Sequence, residues 1–156
     1  MTTSPEAAPS SIAIAQTDEE IVACFPVLHQ LRPALDPATF VSDVRRMQGQ
    51  GYILAALSAP DVRAVAGYRY YETLAFGPTL YVDDLVTDAS HRSSGYGERL
   101  LAWLKAEATR NGCRYLTLDS GLKRLGAHKF YRRHGLEEIA LHFAIPLDGG
   151  PMWSSE

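Results

Sequence analysis

Apolar residues recur with two different spacings along this chain, and each change of spacing marks an element. After Thr17-Asp18-Glu19-Glu20, the apolar positions Ile21, Val22, Phe25 and Leu28 follow a helical period. Thr17 and Glu20 stand at capping-box spacing, where the threonine oxygen accepts from an early helix N–H and the glutamate reaches back. Pro26 is predicted to kink or end this helix, because its ring removes a donor and crowds the preceding turn. Asp36-Pro37 is a second start signal, an N-cap followed by proline at the first helical position. Phe40, Val41, Val44 and Met47 then share one face, and Gly49 or Gly51 stops the helix.

Strand-like runs follow at 52–58 and 64–74, separated by Pro60-Asp61, which predicts a hairpin with a short loop. Residues 80–87 are a third strand, apolar but for Asp83, Asp84 and Thr87, as expected of a strand covered on both faces. A polar loop leads to Gly95-Tyr96-Gly97, and the helix beyond carries Leu100, Leu101, Leu104 and Ala108 on one stripe. Asn111-Gly112 caps it, and residues 115–119 are a strand again. Residues 80–119 therefore read as two parallel strands joined by a right-handed helical crossover. A short helix at about 125–133 ends at Gly135. A terminal strand is predicted from Leu136, Ile139, Leu141, Phe143 and Ile145.

The length of 156 residues fits one domain at 12–147, with a disordered lead-in at 1–11 and a tail at 148–156. The net charge of −3 argues against a dedicated nucleic-acid binder. That charge is uneven. Residues 91–134 hold ten Lys/Arg and three Asp/Glu, a balance of +7, so the rest carries −10. A basic stretch in an acidic chain points to a local anionic ligand or to solvated helix faces. Cys24 and Cys113 stand far apart with no metal spacing, which fits two free thiols in a reducing, cytoplasmic compartment. The histidines share no metal spacing either, so no metal is expected. No run is long and apolar enough for a membrane, and the first residues lack the pattern of a secretory signal.

The chemistry concentrates in Arg92-Ser93-Ser94-Gly95-Tyr96-Gly97, between a strand and a helix. The first amides of a helix have no internal partner and carry the positive end of its dipole, and glycines let an anion approach them. A phosphate or pyrophosphate is the natural occupant, although two glycines also make a plain structural turn. A Walker A loop would need Lys where Glu98 stands, and a dinucleotide fingerprint would need a third glycine at Leu100.

The remaining Arg-x-x-Gly-x-Gly pattern resembles the acetyl-CoA-binding motif of the GNAT superfamily N-acetyltransferases. So does the later run Ala127-His128-Lys129-Phe130-Tyr131-Arg132-Arg133-His134-Gly135-Leu136, similar to the family's Ala-x-x-Phe-Tyr-x-x-x-Gly-Phe pattern. The resemblance spans about residues 12–147. It implies an α/β fold of the α+β type: a mixed, mostly antiparallel sheet with a central parallel strand–helix–strand unit and helices on both faces. It also implies acetyl-CoA as co-substrate, its pyrophosphate on the amides of Arg92, Ser93, Ser94, Gly95, Tyr96 and Gly97. Leu85, Val86 and Thr87 would run beside the pantetheine arm on a bulged strand. A bulge frees backbone amides, one of which can face the thioester oxygen. Tyr131 falls on the tyrosine that faces the CoA sulfur in many members. Many members carry an asparagine after the second crossover strand; here Ser120 stands nearby as a substitute.

Acetyl transfer to an amine also needs a base. An alkyl amine with pKa ~10.4 is about 3.4 units from neutral at pH 7, a deficit of roughly 4.6 kcal/mol. Asp83 and Asp84, on the strand that carries the thioester, are the candidates, with Glu72 as a third; alternation does not choose between them. Residues 70–90 hold four acids and no Lys or Arg, which suits a cationic acceptor unless the aspartates cap turns or pair with arginines. The expected activity is direct acetyl transfer from acetyl-CoA to an amine of a small acceptor. The alternatives are acylation of a protein N-terminus or lysine, or a non-catalytic acyl-CoA-binding module. Strand edges near the C-terminus make a homodimer an expectation as well.

Overall fold

Residues 9–154 are described by the computed structural model, so positions 1–8 of the expected lead-in lie outside the described residues. The chain divides into two units, residues 1–117 and 118–156.

In the first unit, a short strand β1 (Ser11–Ile14) pairs antiparallel with β2 (Ile53–Ser58). Nothing local marks β1 in the chain, because four residues carry little pattern and the ladder partner is some forty positions away. Helix α1 (Asp18–Leu31) starts at the capping box: Glu20 N–H donates to Thr17 Oγ1 at 3.1 Å and Thr17 N–H to Glu20 Oε1 at 3.3 Å. It does not end or break at Pro26. Proline deprives the Val22 carbonyl of its helical donor, but Val22 and Pro26 lie on the exposed side, where a lost helical bond costs least. Ile21, Cys24, Val27 and Leu28, buried on either side of the proline, hold the helix to the core.

Helix α2 (Phe40–Gln48) starts later than Asp36-Pro37 suggests. Asp36 Oδ1 accepts from Ala38 N–H at 2.9 Å, so the aspartate caps a turn that precedes the helix. Strands β3 (Val62–Thr73) and β4 (Gly77–Thr87) complete an antiparallel meander with β2. Helix α3 (Tyr96–Arg110) crosses from β4 to β5 (Tyr115–Leu118), and the sheet order is β1-β2-β3-β4-β5, with β4 and β5 the parallel pair.

One face of the sheet packs on α1 and α2, where Tyr52, Leu54, Val65 and Val86 join Ile21, Leu28, Phe40 and Val44. Side chains alternate along a strand, so Tyr68, next but two to Val65, faces the other way. It meets Trp103 of α3 edge-on at 6.1 Å.

In the second unit, α4 (Leu125–Arg133) follows a turn in which a His128 ring nitrogen lies 2.8 Å from the Gly121 carbonyl. The expected terminal strand at 136–145 is not formed: those residues carry no strand assignment and are exposed nearly throughout. Among the described residues no neighbouring strand supplies the ladder it would need. No helix among the described residues is long and apolar enough to cross a membrane.

Candidate active site

Strand β4 carries one residue more than the β3 segment opposite it. Tyr68 pairs with Val82 and Gly67 with Asp84, which leaves Asp83 as the extra residue of a bulge. Before the bulge, Val82 lies opposite Tyr68 on the α3 side, so Asp83 points toward α1. After it, Val86 lies in the α1–α2 core, so Asp84 points toward α1 as well. The bulge therefore sets two consecutive carboxylates side by side on one face.

Two arginines and a tyrosine close around them. Arg69 Nε and Nη2 donate to Asp83 Oδ2 at 2.9 and 2.7 Å. Arg32, at the end of α1, donates from Nε to Asp84 Oδ1 at 3.1 Å and from Nη2 to the Asp83 carbonyl at 3.1 Å. The Tyr52 hydroxyl donates to Asp84 Oδ2 at 2.8 Å. The Arg69 guanidinium also lies 5.6 Å from the Tyr52 ring centroid, within cation–π range.

Both Asp84 oxygens are thus engaged, whereas Asp83 Oδ1 accepts no protein hydrogen bond among the described residues. Burial raises the Asp83 pKa above the usual carboxylate value, against the opposing pull of Arg69. Burial, then the Asp84 charge, holds the Tyr52 pKa well above 10.

Sequence reasoning missed Arg32, Arg69, Tyr52 and Gly67. A local signal existed for the last. A lone glycine inside a strand marks a bulge or a close approach, and a Cβ at Gly67 would lie 1.8 Å from the Tyr52 hydroxyl oxygen.

The other acids are placed elsewhere. Glu72 shares the side of β3 that carries Tyr68 and Tyr70, away from Asp83, and borders a groove of about 470 Å³ with Asn111 and Cys113. Asp88 anchors the loop: it caps the short 3-10 turn Ala89–Ser94 through Ser90 N–H at 3.3 Å, accepts from Gln30 Nε2 at 3.2 Å and meets His91 Nδ1 at 3.1 Å. Those hydrogen bonds, from Gln30 first, hold its pKa below the usual value. The expected acidic pocket is thus a charge-paired one.

Beyond the turn, Gly95 has φ +77°, the left-handed conformation that glycine adopts without strain. Helix α3 begins there with no side-chain cap, so the first-turn amides of Tyr96, Gly97 and Glu98 have no partner within the helix. Tyr96 is buried, while Arg92, Ser93 and Ser94 are exposed. Leu85, Val86 and Thr87 lie between the bulge and this loop, paired with Ala66, Val65 and Ala64 of β3. Ser120 and Tyr131 belong to the second unit, and the Ser120 hydroxyl is buried with no partner. An uncapped, glycine-flanked helix start suits a phosphate group such as those of coenzyme A.

Neither thiol is poised as a nucleophile. Burial pushes Cys24 up to about 12 and also raises Cys113. Among the described residues no cluster of His, Cys, Asp or Glu could hold a metal ion.

Residues 6–136 match the model of the acetyltransferase (GNAT) family. The uncharacterised N-acetyltransferase YhdJ of Bacillus subtilis (strain 168) is 36% identical over 115 residues, 72% of this chain and 81% of its own. Aminoalkylphosphonate N-acetyltransferase of Salmonella typhimurium is 34% identical over 66 residues, 42% of this chain and 43% of its own. Among solved structures, aminoglycoside N-acetyltransferase AAC(6')-Iy in complex with CoA gives a TM-score of 0.79 over 94% of this chain and 99% of that one. At 16% identity, that likeness concerns the fold.

Proposed function

The chain belongs to the GNAT acetyltransferase family, whose members are acyl-CoA-dependent N-acetyltransferases, and from that premise we propose that it moves an acetyl group from acetyl-CoA directly to an amine of a small acceptor. The observation that carries this reading is the bulge, which leaves Asp83 Oδ1 available beside a carboxylate whose own oxygens are occupied.

In this reading the first amides of α3 and the turn before it hold the diphosphate, and Leu85, Val86 and Thr87 flank the pantetheine arm. Asp83 Oδ1, directly or through water, takes the proton from the ammonium form of the acceptor. The freed lone pair attacks the thioester carbonyl, a backbone amide released by the bulge stabilises the oxyanion, the C–S bond breaks, and the excess proton on the new amide nitrogen passes to the coenzyme A thiolate. Tyr131 donates a hydrogen bond to the departing thiolate. Full proton donation from tyrosine is uphill by roughly 2 kcal/mol against a thiol of pKa ~8.5, so the hydrogen bond is its contribution. No acyl-enzyme forms, since burial keeps Cys24 a thiol. Two free cysteines fit action in the reducing cytoplasm.

The arginines bear on the acceptor. With Arg69 on Asp83 and Arg32 on Asp84, the site is charge-balanced, and a purely cationic acceptor loses its electrostatic argument. An amine that also carries a carboxylate or phosphonate suits two guanidinium groups better. The activity named for the Salmonella relative has that chemistry.

Thiol release from acetyl-CoA, measured across amines, aminoalkyl acids and diamines, tests the proposal. Release with small amines, fastest for the amino acids and aminophosphonates, is expected. Release with diamines alone would restore the cationic acceptor, and none with any amine would contradict acetyl transfer. In the same assay Tyr131→Phe is expected to lower kcat more than it raises KM for acetyl-CoA. Unchanged turnover would remove Tyr131 from the mechanism.

A further inference from the structure

Where β4 takes its extra residue, the ladder leaves a gap. Asp83 has no opposite number on β3, because Tyr68 pairs with Val82 and Gly67 with Asp84. A carbonyl in that position needs a donor from elsewhere. Arg32 supplies it: Nη2 donates to the Asp83 carbonyl at 3.1 Å, while Nε of the same group donates to Asp84 Oδ1 at 3.1 Å. The guanidinium thus spans the main chain of one aspartate and the side chain of the next, a grip that its rigid fork permits. Arg32 is itself held, as the C-cap of α1 whose N–H donates to the Leu28 carbonyl at 2.8 Å. The Tyr52 hydroxyl secures the other Asp84 oxygen.

The bond to the carbonyl acts on more than the carbonyl. The Asp83 C=O and the Asp84 N–H belong to one planar trans peptide, in which they point opposite ways. With the carbonyl drawn toward α1, the Asp84 N–H is turned away from it. The orientation of that plane also sets how the two carboxylates come to share one face. Arg69, by contrast, grips Asp83 by its carboxylate.

We propose that Arg32 is the positioning residue of the bulge: gripping the Asp83 carbonyl and the Asp84 carboxylate together, it aims the Asp83 carboxylate at the acceptor and sets the direction of the Asp84 amide. The inference rests on the acetyl transfer proposed above, in which Asp83 takes the acceptor's proton. Arg32 acts through Asp83 and takes no part in the proton transfer itself.

Kinetics of Arg32→Lys and Arg32→Gln across pH, with the amine that the wild type turns over fastest, test this. Lysine keeps the charge beside Asp84 but lacks the fork. Both variants are expected to lose kcat by about 10- to 100-fold, the effect of a misplaced reacting group, with KM for acetyl-CoA little changed. The pH profiles separate fork from charge. Burial raises the Asp83 pKa; of the charges facing it, Arg69 from β3 lowers it, Asp84 raises it and Arg32 from α1 lowers it. Tyr52 from β2 stays neutral, its own pKa held well above 10. Removing the Arg32 charge therefore raises the Asp83 pKa. The acid limb of kcat is expected at higher pH in Arg32→Gln and near its wild-type position in Arg32→Lys.

Wild-type kcat in either variant, a loss confined to KM for the acceptor, or an unmoved acid limb in Arg32→Gln overturns the proposal. Should Arg32→Gln show no melting transition, kcat of Arg32→Lys decides alone. A wild type that acetylates no amine removes the acetyl-transfer reading and this inference together. Wild-type turnover that is indifferent to Arg32 removes the inference alone.

Discussion

Gly67→Ala is expected to destabilise the protein by about 3 kcal/mol, a melting temperature lower by roughly 6–12 °C for a domain of this size. The backbone is not the cause, since Gly67 is not among the glycines with positive φ. The cause is the Tyr52 ring, which lies across the strand where the bulge begins. A methyl group at Gly67 meets the Tyr52 hydroxyl oxygen at 1.8 Å and the ring carbons from 2.4 Å. Tyr52 is buried, 4% exposed, and moving its ring breaks its hydrogen bond to Asp84. Adding Tyr52→Val to the alanine variant is expected to cost clearly less than the sum of the two single changes, because the two residues occupy one space. A melting temperature for Gly67→Ala equal to that of the wild type would show that the ring does not lie over this glycine.

Asp83→Asn is expected to lower kcat by about 100-fold or more, in the range of a lost general base, with little change in KM for acetyl-CoA. The amide keeps the shape of the carboxylate and a partner for Arg69, so folding is expected to survive. The pH dependence carries a second signature. The carboxylate acts as a base only when ionised, so kcat falls as pH drops through the Asp83 pKa. Burial raises that pKa, which places the acid limb above the ordinary aspartate value of about 3.9. The limb is expected to vanish in Asp83→Asn. If Asp84→Asn showed the loss while Asp83→Asn kept wild-type turnover, the base would be Asp84.

What the sequence made legible, and what it hid, divides along the distance between interacting residues. The capping box at Thr17 and the left-handed Gly95 before α3 are local patterns, and each marks a helix start in the structure. Pro26 does not end α1, because core contacts hold the helix on both sides of it. The charge of the site was misjudged for a related reason. A window from 70 to 90 contains four acids and no base, but Arg69 stands one position outside it and Arg32 some fifty positions upstream. Alternation could not choose between Asp83 and Asp84 because both point the same way, which only the offset register against β3 reveals. The strand pattern at 136–145 is plain in sequence, yet a strand without a neighbour forms no ladder.

In the proposed reading, main-chain amides at the start of α3 grip the diphosphate of coenzyme A. Calorimetric titration with coenzyme A and, separately, with pantetheine, which keeps the thiol arm and lacks the diphosphate, tests it most directly. Saturable binding of coenzyme A is expected, with an affinity for pantetheine weaker by about 100-fold or more. Equal affinity for the two, or no heat with coenzyme A, would contradict it.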